Sequence, residues 1–176
     1  MTLITTWFIN LVLLPGRMLH TILTKHLADR YDLQVYTINY LEIASDRSQI
    51  IYESPTTLKE KYVLGLGPFF ILNGIAISLY YLALTADNTT LFLLFAYTGI
   101  AASYASFPTP EISYELWKAT LQEIKKGEIL AIIFLIPIAI INFIKIFSIL
   151  SIEFLFAIGL LIWVSIEMNT NPFDKQ

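Results

Sequence analysis

The chain reads as an all-α polytopic membrane protein of about five membrane helices, with a small cytoplasmic β-hairpin between the first two. Three observations lead there. Of its 176 residues 56% are apolar and only 14% charged, whereas a soluble domain has about a quarter of its residues charged because something must face water. Long charge-free runs recur along the chain, and one segment, 25–61, is polar and rich in β-branched and aromatic residues. Residues 1–176 are therefore expected to form a single integral-membrane domain.

The first predicted helix covers about 3–23 and is interrupted by Pro15, Gly16 and Arg17. No basic region precedes its apolar core and no small-residue cleavage site follows, so it is expected to stay rather than be removed as a signal peptide. Pro and Gly inside a spanning helix free backbone groups that need partners, so a kinked or half-buried helix is expected.

In the segment 33–53, LQVYTINYLEI and QIIYE flank the turn-forming ASDRS, which predicts a hairpin. SPTTLKE follows, and its Thr57-x-x-Glu60 is a capping box that starts a helix leading directly into the second membrane segment, 63–84. That segment carries no charge and as a helix would span about 33 Å, enough for a hydrocarbon core of about 30 Å. Further membrane helices are predicted at 90–106, 129–144 and 147–166, the last two separated by a polar break at Asn142 and Lys145.

Lys and Arg set the orientation. Five of the eleven lie between Lys25 and Lys61 and three more between Phe107 and Glu128, while 85–89 has none. Both basic segments are expected in the cytoplasm, with the N-terminus outside and the C-terminus inside. Tyr62, Tyr80, Tyr81, Tyr97, Tyr104, Trp117 and Trp163 fall near predicted helix ends, where amphipathic rings settle at headgroup level. Lys145, Glu153 and Glu167 are expected to be interfacial, reaching water by snorkelling.

Several functions are disfavoured. A net charge of −3 offers no basic field for nucleic acid. Without cysteine there are no disulfides, thiolate zinc sites or iron–sulfur ligands. GLGP at 65–68 lies in an apolar helix where a phosphate would be unsolvated, so close helix packing is its expected role.

The stretch PGRMLHTILTKH at 15–26 carries both histidines. In a helical H-E-x-x-H, two His four residues apart hold one zinc and the Glu serves its water as general base. Here the five positions read His20-Thr21-Ile22-Leu23-Thr24: Thr21 stands at the base position and Thr24 at the second ligand position. His26 is six residues beyond His20 and so lies roughly 120° off its face. Arg17 shares the His20 face and brings a fixed cation that opposes a divalent metal.

LLPGRMLHTILTKHLADRYDL resembles the first helix of small site-2-protease-like integral-membrane metalloproteases, PG-x-x-x-HE-x-x-H. IIYESP with GLGPFFILN is similar to the hairpin and Gly-Pro helix start of that family. ASFPTPEISYELW resembles its Phe-Pro-Ser motif leading to an acidic residue, and IPIAIINFIKIFSILSIEFLFAIGLLI its closing helices. The resemblance runs in order over nearly the whole chain. It implies that His20 stands at the first zinc ligand, and that the acidic ligand falls at Ile112, next to Glu111. What remains of the site is thus His20, Thr21, Thr24 and Glu111, with no catalytic residue, no metal ligand set and no cofactor. The resemblance also brings the 107–117 loop toward the former metal site, so Arg17 is expected to pair with Glu111, or with Glu115, in a buried ion pair.

The function expected is a non-catalytic metalloprotease homologue acting as an accessory or scaffolding subunit, with the lipid bilayer and other integral membrane proteins as its partners. An atypical active intramembrane metallohydrolase and a small transporter or lipid-binding membrane protein are the alternatives. The inverted repeats and paired broken helices that mark many transporters are not evident.

Overall fold

The structure, a computed structural model, describes residues 11–40, 50–146 and 152–170. Its elements are α1 (Leu14–Arg30), β1 (Val35–Ile38), β2 (Ile50–Tyr52), α2 (Leu58–Leu84), α3 (Thr89–Ala105), α4 (Pro110–Lys125), α5 (Ile129–Ile146) and α6 (Ile152–Thr170). The protein is thus mostly helical with one small hairpin.

The break expected at Pro15–Gly16 is present. Residues 11 and 12 are helical, Leu13 forms a turn, and α1 starts afresh with Pro15 in its first turn, where its missing N–H removes no helical bond. Residues 3–10 of the predicted first helix lie outside the described residues, and α1 runs past the expected end at 23 to Arg30. The chain then turns through Asp32, whose positive φ of 55° ends the helix.

β1 and β2 pair antiparallel as expected, with Val35 opposite Tyr52 and Ile38 opposite Ile50. The predicted ASDRS turn lies outside the described residues. Leu33, Val35 and Tyr52 pack on Leu27, Ala28 and Leu64, which seats the hairpin against α1 and α2. The Thr57 hydroxyl accepts from the Glu60 backbone N–H at 3.2 Å and the Glu60 carboxylate accepts from the Thr57 N–H at 3.1 Å. This reciprocal cap starts α2, which continues unbroken to Leu84.

α2 is the centre of the molecule and packs against α1, α3, α4 and α6. Small residues permit the close approaches. A Cβ at Gly16 would collide with the Ala101 backbone of α3, and one at Gly99 with the Tyr80 ring. Gly65 and Gly67, within the GLGP motif, lie against Leu116 and Leu27, the helix-packing role expected of them. Asn73 joins the polar groups between α2 and α3: its Nδ2 donates to the Phe69 carbonyl at 2.8 Å and to Ser106 Oγ at 2.9 Å, and Ser103 Oγ donates to Asn73 Oδ1 at 2.7 Å.

Four expectations need correction. The 107–117 loop is largely helix: Pro110 opens α4 and the Thr109 side chain caps it through the Ile112 N–H. Tyr62 and Tyr80 are buried inside the protein rather than turned outward to headgroups, because each phenol finds a partner inside, Thr120 Oγ1 at 2.9 Å and the Ala157 carbonyl at 3.0 Å. Trp163 is exposed but lies in the middle of α6, not near its end. Glu153 is 8% exposed rather than interfacial.

Among the described residues α2 is long and apolar enough to cross a membrane, and α3 with α4, bent by 49°, pass the same test together. The final helix is described from Ile152 to Thr170, later than the expected 147–166, and residues 147–151 lie outside the described part.

Candidate functional site

Arg17, His20, Thr21 and Thr24 share one face of α1. Thr21 and Thr24 are 2% and 3% exposed, so their hydroxyls need partners inside the protein. Each donates to a carbonyl one turn back, Thr21 Oγ1 to Arg17 at 3.0 Å and Thr24 Oγ1 to His20 at 2.8 Å. Back-bonding of this kind occupies the hydroxyl proton without a second element, and an alcohol so held is neither the carboxylate base nor the imidazole ligand that zinc chemistry requires. His20 is half-buried beside them.

A catalytic zinc takes three protein ligands and a water. One imidazole with two hydroxyls bonded to the helix backbone does not fit it. Among the described residues no three His, Cys, Asp or Glu side chains are grouped to hold a metal ion. Glu111 is exposed on α4, in the wall of a cavity to which α1 contributes no residue. Arg17, Glu111 and Glu153 each have an interaction partner.

That cavity is the site the sequence did not point to. It is an open groove of about 1020 Å³ between β2 with the irregular segment that follows it, the start of α2, and α4. Its walls join residues of the two Lys- and Arg-rich segments, 25–61 and 107–128, so both lie at one end of the molecule. Leu64 and Leu116 are buried in its floor. α4 turns a stripe of exposed polar side chains to it, the charged Glu111, Glu115 and Lys118 and the neutral Gln122, with the four-three-four spacing of one helical face.

From α2, Lys61 enters the opposite wall half-buried. Lys61, Lys118 and Glu115 take no part in the ion pairs Lys25–Asp29 and Lys126–Glu123. Burial pushes the Tyr52 phenol of β2 up from its ordinary value, and the Glu115 carboxylate across the groove pushes it the same way. The strand and α4 line the same groove. The 111-115-118-122 spacing was visible in the sequence, but only the opposing Lys61 and Tyr52 make it a groove.

Compared with protein-family models, curated proteins and solved structures, the chain matches none of them.

Proposed function

We propose that the chain is a polytopic α-helical membrane protein with the architecture of a site-2-protease-like metalloprotease and without its chemistry, working as an accessory or scaffolding subunit of a membrane complex. The observation that carries this reading is the state of Thr21 and Thr24. They hold the positions of the general base and second ligand, and both hydroxyls are buried and bonded to their own helix.

Support for the membrane comes from the outer faces of the helices. Phe70 on α2, Leu93 on α3, Ile133 and Ile136 on α5, and Leu155 and Ile162 on α6 are 53–67% exposed. Apolar surface spread over four helices calls for lipid or protein to cover it. Cysteines introduced at Ser54 and Lys125 are expected to label from the cytoplasm and one at Asn88 from outside. Labelling of Ser54 from outside would overturn the orientation.

The function is tested by extraction in mild detergent at native expression level. One membrane protein should co-migrate at fixed stoichiometry, and a chain that migrates alone after mild extraction contradicts the accessory role. The same reading pairs Arg17 with Glu111, so Glu111→Gln should lower thermal stability and Arg17→Met in the same chain should restore much of the loss. A loss seen only with Glu153→Gln would assign the pairing to that buried carboxylate instead.

A further inference from the structure

The groove between β2 and α4 has cations on two elements, carboxylates on one of them and an apolar floor. We infer that it binds the headgroup of a bilayer phospholipid bearing a phosphate and a primary ammonium, the phosphate at Lys61 and Lys118 and the ammonium at Glu115. This inference rests on the membrane reading above.

Charge complementarity selects the occupant. Lys61 is half-buried and takes part in neither ion pair found among the described residues, and a cation so placed attracts an oxyanion. Lys118 supplies a second positive charge from the other wall. A headgroup with net negative charge would meet Glu111 and Glu115 on the same stripe of α4, and like charges at such range repel. A zwitterion satisfies both signs.

The type of ammonium follows from the lining. Quaternary ammonium groups are held by aromatic cages, and among the described residues Tyr52 is the single aromatic side chain lining the groove. A primary ammonium with three N–H donors instead suits a carboxylate. The height of the groove agrees. Lys61 sits in the first turn of α2, two residues before the charge-free run 63–84 begins, which is where lipid phosphates lie if α2 spans. The volume of about 1020 Å³ is at the upper end of the range for ligand sites, about 300–1,000 Å³, and is roomy for a headgroup with its glycerol.

The experiment uses the full chain in lipid nanodiscs of equal parts phosphatidylethanolamine, phosphatidylcholine and phosphatidylglycerol, with retained lipid read by native mass spectrometry. Phosphatidylethanolamine should be retained about tenfold over each of the others, equivalent to about 1.4 kcal/mol. Lys61→Gln with Lys118→Gln should abolish the preference, and Glu115→Gln should shift it toward phosphatidylglycerol. Lys118 and Glu115 are exposed, so unchanged thermal melting of their single variants separates loss of the site from loss of the fold.

Equal retention of the three lipids by the inserted protein overturns this proposal and leaves the membrane reading intact. Binding of soluble phosphoethanolamine as tight as that of the lipid also overturns it, since the occupant would then not be a lipid. A chain that does not enter nanodiscs at all refutes both.

Discussion

The stretch from Arg17 to Thr24 on α1 and the stretch from Glu111 to Gln122 on α4 both carry polar side chains at helical spacing, yet the protein uses them differently. On α1 the face is packed against α2 and α3, and the two threonine hydroxyls bond to backbone carbonyls of their own turn. On α4 the charges remain exposed beside an open groove, facing a half-buried lysine from another helix. A hydroxyl can be buried at small cost because its helix offers an acceptor one turn away. The charges of α4 cost more to bury than a hydroxyl and stay where water or a ligand can meet them. Polar spacing on a helix therefore marks a candidate, and the neighbouring elements decide whether any group is left for chemistry.

The largest test of this contrast is at the packed face. Gly16→Ala would drive a methyl group into the Ala101 backbone of α3, and backbone cannot rotate away as a side chain can. We expect a loss of about 3 kcal/mol or more, at the upper end of overpacking costs, read as a large fall in melting temperature in detergent. Gly74→Ala on α2 is the control: a Cβ there meets nothing within 4 Å. It should gain about 0.5–1 kcal/mol from helix propensity. Equal effects at the two positions would mean that α1 and α3 do not meet as described.

A smaller effect is expected in the polar core. Asn73→Leu removes the group that holds Ser103 Oγ and Ser106 Oγ between α2 and α3, leaving buried hydroxyls with fewer partners, at a cost of about 1–3 kcal/mol. A melting temperature equal to that of the unaltered chain would show that the two serines find other acceptors.

The sequence carried the helical architecture, the hairpin and the start of α2 well, because each has a local cause: charge-free runs, β-branched strands around a turn, and a Thr-x-x-Glu cap. It missed α4 as a helix, since Phe-Pro-Thr-Pro reads as loop and the cap at Thr109 is legible only once Pro110 is placed in the first turn. It also expected Tyr80 and Glu153 to reach outward to headgroups or water, because an amphipathic ring or a carboxylate near a helix end usually does. Their burial depends on partners far along the chain, such as the Ala157 carbonyl for Tyr80. The groove was illegible for the same reason, since Tyr52, Lys61 and Glu115 come from three elements.

The smallest expected effect is at the groove. The Tyr52 phenol titrates above the ordinary tyrosine value, through burial first and Glu115 second. As pH rises past about 10, the folded chain keeps a proton that the unfolded chain releases, so stability falls with further alkalinity. Glu115→Gln should move the Tyr52 ionisation toward lower pH, read from the ultraviolet difference between each protein and its Tyr52→Phe variant. No movement would separate β2 from α4 and weaken the groove as a site.

The central claim is that the H-E-x-x-H position has become packing. Its most direct test is the zinc content of the purified chain, measured by elemental analysis beside His20→Ala and beside Thr21→Glu combined with Thr24→His. The chain should hold substoichiometric zinc that His20→Ala leaves unchanged, with any gain confined to the variant that restores both positions. About one zinc per unaltered chain, lost on His20→Ala, as a tight site would give, would contradict the account.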